Sequence, residues 1–323
     1  MLKYLVILLD DTATSYCCYR SEKQERRLIS LEDLRAGILF AMKQNLMLQV
    51  VYPACEIPAG HREAIETIDH CKVAPAGNGC EKRADVVAFD RWSDAEAFAA
   101  AMEGKKSGKI VALRLAKAEF FACYSGLVRM LRCVERLNVV ITDVETFGEQ
   151  DFTAYSEALA ALGMEVKKLY AQGAKPQLNI LTDRLALEAM NSCNAGYESV
   201  TLAPNGKFYV CPAFYLEDEG DAVGDLSTGL DVKNRQLYGL QHAPLCRACD
   251  AYQCKRCIWL NRKTTGEVNT PSREQCIVAH LERNASAKLL RDLQSTGEYT
   301  SVKEIGELSC LDPFLNYELG ITD

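Results

Sequence analysis

The sequence predicts an α/β chain in two regimes: strand–helix units building a parallel sheet, then a small irregular region rich in cysteine. Three observations predict it. Short apolar runs alternate with helical patterns through the first half, and parallel neighbours need crossovers of that kind. Turn signals multiply after Leu181. Of 15 cysteines, seven fall between Cys193 and Cys276.

Taking the elements in order, Lys3 to Leu9 is a continuous apolar run suited to a strand buried on both faces. Ser30, three residues before Asp33, opens a helix whose apolar stripe is Leu34, Ile38, Leu39 and Met42. Leu46 to Tyr52 is the next strand. Further strands are expected at Asp85–Phe89, Ile110–Leu113, Asn138–Thr142 and Gln177–Leu181, with a weaker one at Glu165–Tyr170. Helices are expected at Asp94–Met102, Ala118–Leu137 and Glu149–Leu162. Units of this kind make a doubly wound sheet or an open, partial barrel, and periodicity does not separate the two. Beyond Leu181, Val200–Leu202 and Lys207–Val210 flank Pro204-Asn205-Gly206, a hairpin signal. The tail resumes as a helix from Ala285 to Leu293 and then turns polar.

Composition bounds the function. The 323 residues are 48% apolar and 25% charged, ordinary for one large or two medium domains. A net charge of −7 makes the chain a poor binder of nucleic acid or anionic membranes, and neither is expected as a partner. The first apolar run ends at Asp10-Asp11, too short for a spanning helix or a signal peptide. A cytoplasmic location is expected, where thiols stay reduced and clustered cysteines point to metal or catalysis.

The cysteine spacing carries the most chemistry. Cys246-x2-Cys249-x4-Cys254-x2-Cys257 puts four thiols within a short run, after Cys193-x12-Gly206-x4-Cys211 and before Cys276. A zinc ribbon also pairs Cys-x2-Cys knuckles, usually with a longer segment between them. So tight a run wraps one tetrahedral ion with difficulty, whereas it can feed two neighbouring iron–sulfur clusters. Arg247, Lys255 and Arg256 lie between these cysteines; they offset thiolate charge or are simply solvated.

This frame resembles the SPASM domain of radical-SAM peptide maturases, although the second and third gaps of the run are each one residue shorter than is usual there. The resemblance implies two auxiliary 4Fe–4S clusters. One would be held by Cys246, Cys249, Cys254 and Cys276, the other by Cys193, Cys211 and Cys257 with a fourth position open or not cysteine. The stretches Leu181-Thr182-Asp183-Arg184-Leu185, Cys193-Asn194-Ala195-Gly196, Thr201 to Tyr209, Cys254 to Asn261 and Asn269-Thr270-Pro271-Ser272 are similar to the proteins called CXXX repeat peptide maturases. That implies a radical-SAM-like partial α/β barrel over residues 1–185, a SPASM-like domain over 186–290 and a tail over 291–323. It also implies a role in maturing ribosomally made, cysteine-rich precursor peptides.

The first loop departs from such a barrel. A radical-SAM loop carries Cys-x3-Cys-x2-Cys, whose three thiolates leave one iron open for S-adenosylmethionine. Here the register ending at Cys18 has Asp11 and Ser15, and the one ending at Cys17 has Asp10 and Thr14. After the second strand, Tyr52-Pro53-Ala54-Cys55-Glu56 stands where the family has a Gly-Gly-Glu-Pro-like segment. S-adenosylmethionine is therefore not expected here, and a partner enzyme with an intact loop is. Two other readings stay open: a zinc-bound scaffold without redox chemistry, and an active maturase using Cys17, Cys18 and Cys55, which should share the C-terminal mouth of the sheet. Whether the chain is itself an enzyme is left undecided. Cys123 and Cys133 read as core, while Cys71, Cys80 and Cys310 have no assigned role. His61, His70, His242 and His280 show no common spacing.

Overall fold

The structure is a computed structural model. It describes the chain apart from Met1, Glu22, Gln24, Glu25, Asn78, Gly79, Ala186, Glu188, Ala189, Asn191, Gln253, Lys255, Ser309, Cys310 and residues 319–323. The side chains of Cys80, Glu81, Asn316, Tyr317 and Glu318 also lie outside the description.

In chain order the elements are β1 (Tyr4–Leu8), α1 (Leu31–Lys43), β2 (Met47–Val51), α2 (Ala59–Ile65), β3 (His70–Pro75), β4 (Val86–Phe89), α3 (Trp92–Ala101), β5 (Ile110–Leu115), α4 (Lys117–Cys123), α5 (Leu127–Cys133), β6 (Arg136–Ile141), α6 (Glu149–Ala171) and β7 (Gln177–Leu178). The chain continues with β8 (Ser199–Leu202), β9 (Phe208–Tyr209), α7 (Pro212–Glu217), β10 (Gly224–Asp225), β11 (Gly229–Leu230), α8 (Ile258–Thr265), α9 (Arg273–Gln294) and α10 (Pro313–Glu318). They fall into two compact units, each assembled from two separate stretches: Met1–Ala88 with Cys193–Ala243, and Phe89–Ser192 with Pro244–Asp323.

In the first unit the strand order is β4-β3-β2-β1-β8-β9. All neighbours are parallel except the β8–β9 hairpin. Leu5, Ile7, Val50, Val51 and Val73 are fully buried, as strands covered on both faces require. The Ser30 cap forms as expected: its Oγ accepts the Asp33 amide at 2.9 Å. Gly206 turns the hairpin at φ +74°, where a side chain would be strained, and its amide donates to the Ala203 carbonyl at 3.0 Å.

In the second unit β7-β6-β5 are parallel. Two expectations are corrected here. Glu165–Tyr170 is no strand but the last turns of α6, where Val166, Leu169 and Tyr170 continue the buried stripe of Leu159 and Leu162 at helical spacing. The helix expected over Ala118–Leu137 breaks at a 3-10 turn, Tyr124–Gly126, and ends at Cys133, and Leu137 belongs to β6. Trp92 packs against that break: a Cβ on Gly126 would lie 2.4 Å from its ring.

The segment after α9 is laid back along that helix. Tyr299 and Val302 carbonyls accept from Gln294 at 3.2 and 3.0 Å. Gly306 accepts from Arg283, and Leu308 exchanges two hydrogen bonds with the Asn284 amide at 2.9 and 3.0 Å. Leu311 then meets His280, and Asp312 pairs with Arg273 at 2.5 Å. From Tyr299 to Asp312 the α9 partners pass from Gln294 to Arg273, so the two run antiparallel. No described helix is long and apolar enough to cross a membrane.

Candidate functional site

The second unit gathers five of the seven framed cysteines: Cys246, Cys249, Cys254, Cys257 and Cys276. Its scaffold is α8, a turn and α9. Ser272 caps α9 and exchanges hydrogen bonds with Gln275 at 3.0 and 3.3 Å. Gln275 donates to Asn261 at 3.1 Å, and Asn261, fully buried in α8, donates to the Val268 carbonyl at 3.0 Å. These polar residues fix the start of α8, where Cys257 is the N-cap, against the first turns of α9, which carries Cys276.

On α9, Cys276, His280 and Arg283 follow at i, i+4 and i+7, one face of a helix. That face meets the first cysteine knuckle. His280 Nε2 lies 3.7 Å from Cys249 Sγ, and its Nδ1 is 2.6 Å from the Leu311 carbonyl. Arg283 binds the carboxylate of Asp250, the next residue after Cys249. The Cys249 amide closes on the Cys246 carbonyl at 3.2 Å, and the Ala251 amide donates to Cys249 Sγ at 3.4 Å.

Electrostatics ties the thiols together. Burial, and after it the neighbouring Cys246 and Cys249, push the Cys254 thiol up to about 12. Cys276 is raised by burial, then by Cys254, Cys246 and Cys249. Cys246 is raised by burial and by Cys249, against the lowering effect of a hydrogen bond and charge from Arg256, itself only 2% exposed. Such a nest keeps its protons until a thiophilic cation takes their place. Among the described residues, no three of His, Cys, Asp and Glu stand at a single metal ion's ligand spacing. Lys255 and Cys310 lie outside the described residues.

Cys193 and Cys211 belong to the first unit. Cys193 is exposed before the Gly196 turn, and Cys211 is the N-cap of α7. With Cys17 and Cys71 both add to a desolvation that drives the Tyr16 hydroxyl well above its ordinary value. Cys257, which the resemblance would group with Cys193 and Cys211, lies in the other unit.

The loops after β1 and β2 meet, as expected of one sheet mouth: Ala13 bridges Pro53, and the Thr14 amide donates to the Tyr52 carbonyl at 3.0 Å. Cys17 and Cys18 are half-buried there, and Cys55 is exposed. An open groove of about 440 Å³ follows Cys55, lined by Arg26, Leu28, Glu56, Ile57 and Pro58.

Sequence reasoning missed what holds this loop. Asp10, with no exposed surface, accepts the Thr12 amide at 2.7 Å, the Thr12 hydroxyl at 2.8 Å and Arg26 Nε at 2.5 Å. Asp11 accepts the Tyr215 hydroxyl and the Arg27 amide, the latter at 3.2 Å. Lys23 stacks 3.8 Å from the Tyr215 ring centre and pairs with Glu219 at 2.7 Å. Glu219 also accepts from Arg27 at 2.9 Å and Asn205 at 3.1 Å. Two acids after a strand, followed by Lys23, Arg26 and Arg27, were the available signal. These residues do not suit a three-thiolate cluster, because in either register one thiolate position is an Asp carboxylate that is buried and already bonded to protein donors.

No family model and no curated protein matches the chain. Solved structures do. A hexahistidine-tagged anSMEcpe with bound AdoMet has a TM-score of 0.63 at 11% identity, over 93% of this chain and 98% of that one. Native anSMEcpe with AdoMet and the Cp18Cys peptide gives 0.61 at 11% identity, over 91% of this chain and 100% of that one. With the Kp18Cys peptide it gives 0.60 at 10% identity, over 91% and 99%. The chain thus has a radical-SAM-like α/β fold.

Proposed function

We propose that this chain is an iron–sulfur protein of ribosomal-peptide maturation that lacks an S-adenosylmethionine cluster of its own. It holds a cysteine-rich precursor peptide and exchanges electrons with that peptide or with a radical-SAM partner enzyme. The carrying observation is the thiol neighbourhood of Cys246, Cys249, Cys254 and Cys276, drawn from two knuckles and one helix face with buried arginines around it. The likeness to an AdoMet- and peptide-bound protein supports the maturase reading. The bonded state of Asp10 and Asp11 supports placing the S-adenosylmethionine chemistry on a partner.

Bound iron–sulfur clusters would supply one-electron transfer. The chain's own residues do the rest. Cys246, Cys249, Cys254 and Cys276 would hold one cluster, and Cys193 and Cys211 of the first unit would be ligands of the other. Arg256 offsets thiolate charge at Cys246, and Asn261 with Gln275 fixes the helix pair that carries Cys257 and Cys276.

The test is iron content and visible absorbance after strictly anaerobic loading. Two 4Fe–4S clusters correspond to about eight irons per chain. Cys249→Ala should lose about half the iron and keep the rest. Stoichiometric zinc with no iron supports the scaffold reading and overturns this one. A second measurement addresses the partner: reduced protein given S-adenosylmethionine alone should release no 5′-deoxyadenosine above background. Robust release that disappears on replacing Cys17, Cys18 or Cys55 by Ala would refute the division of labour.

A further inference from the structure

Two side chains on α9 each hold the first cysteine knuckle with one group and the strap with another. His280 Nε2 lies 3.7 Å from Cys249 Sγ, while its Nδ1 is 2.6 Å from the Leu311 carbonyl. Arg283 binds the Asp250 carboxylate through Nη2 and donates from Nη1 to the Gly306 carbonyl. Both bridging side chains are buried. Knuckle, helix and strap all belong to the second unit.

The strap is held by polar bonds rather than by a core. Between α9 and α10 its described residues form neither helix nor strand, and none from 299 to 308 is buried. A segment with few buried apolar contacts opens at low cost. The knuckle depends in turn on what fills it, because thiols are organised by the cation they bind. When either side lets go, a buried imidazole or guanidinium is left with an unmade bond, and stranding such a group is costly. Each side therefore favours the other. An ordered knuckle holds His280 and Arg283 where the strap can meet them, and a closed strap holds them where the knuckle can.

We infer that the strap is a latch coupled to the occupancy of the sulfur site: metal in the knuckle closes it and an empty knuckle loosens it, through His280 and Arg283. This rests on the reading above of Cys246 and Cys249 as metal ligands. Such a coupling is reciprocal, so loosening the strap must also weaken the hold on the metal.

The experiment is native-state hydrogen exchange on the full chain, metal-free, loaded anaerobically with iron and sulfide, and loaded with zinc alone. The amide to follow is Leu308, which donates to Asn284 Oδ1 at 2.9 Å. Loading should slow its exchange by about tenfold, within the ordinary range for coupled sites. Val139, held by Asn179 at 2.8 Å in the same unit, should slow less. Asp250→Asn cuts the knuckle end of one bridge at a half-exposed carboxylate and should shrink the slowing at Leu308. Asn284→Ala should speed the loss of metal to a chelator. Equal slowing of Leu308 and Val139 is general stabilisation of the unit and overturns the latch. Metal bound with Leu308 unmoved overturns it too, and leaves the iron–sulfur reading intact. Protein that takes zinc and no iron overturns the iron–sulfur reading, and its zinc-loaded form still decides the latch. Failure to bind either metal overturns both. If Asp250→Asn does not fold, the wild-type comparison carries the test.

Discussion

Asp10→Ala asks what holds the loop after β1. The carboxylate accepts three hydrogen bonds with no exposure to water. Arg26 is 38% exposed and Thr12 is exposed, so both rehydrate when the acceptor goes. A bond to a charged group contributes about 1.5–3 kcal/mol and an ordinary one about 1, which places the whole near 3 kcal/mol at the low end of each range. At about 1.4 kcal/mol per tenfold, local opening should become about a hundredfold more frequent. Native-state hydrogen exchange reads this directly. The amides to follow are Asp11, bonded to the Arg27 carbonyl at 3.2 Å, Thr14, and Ile29, bonded to Leu9 at 2.9 Å. Val139, held by Asn179 at 2.8 Å in the second unit, is the control. Since these oxygens hold the loop without iron, the loss should be the same in metal-free and iron-loaded protein. A change within about 0.5 kcal/mol, the range of an ordinary surface substitution, or a loss abolished by loading iron, would refute the reasoning.

Two further outcomes follow from charge and from the strap. Lys23, then Arg27 and Asn205, hold the Glu219 carboxylate down at about 2 from 4.5, against a smaller upward push from burial. A depressed carboxylate stabilises the folded state above its unfolded value, so this contribution is intact above pH 5 and fades as pH falls from 4.5 towards 2; Glu219→Gln should flatten an acid-unfolding curve in that window. Asn284→Ala removes both hydrogen bonds to Leu308, about 2 kcal/mol together. Iodoacetamide should then label Cys276 of metal-free protein about thirtyfold faster with Cys55 unchanged, and equal Cys276 rates would show that the strap does not screen that thiol.

Local signals in the sequence identified much of this arrangement. The Ser30 cap, the Gly206 turn and the apolar runs of β1 and β2 depend on neighbours a few residues away, and each sits where periodicity and capping put it. The strand expected at Glu165–Tyr170 failed because a short apolar run has no intrinsic period, and the unbroken helix before it won. β3 was missed because His70-Cys71-Lys72 hides the buried pair Val73 and Ala74. The polar core of α9 was least accessible. Glu282, Arg283 and Ser286 look like a solvent face until their partners are known, and Tyr155, Gly306 and the Leu181 carbonyl are distant in sequence. His280 was missed for the same reason, since only α9 brings it to Cys249. The cysteine frame was readable as a pattern, but which thiols share a unit is a property of how the chain is divided.

The strap along α9 also sets an order of events during synthesis. Cys246 through Cys276 are synthesised before Leu308 and Leu311, which settle against Asn284 and His280. Until they settle, the helix that carries Cys276 and His280 lacks the strap's hydrogen bonds. Asp312 bonded to Arg273 is the last of the described strap contacts on α9, so a metal donor that arrives before it forms meets a different helix surface from one that arrives after.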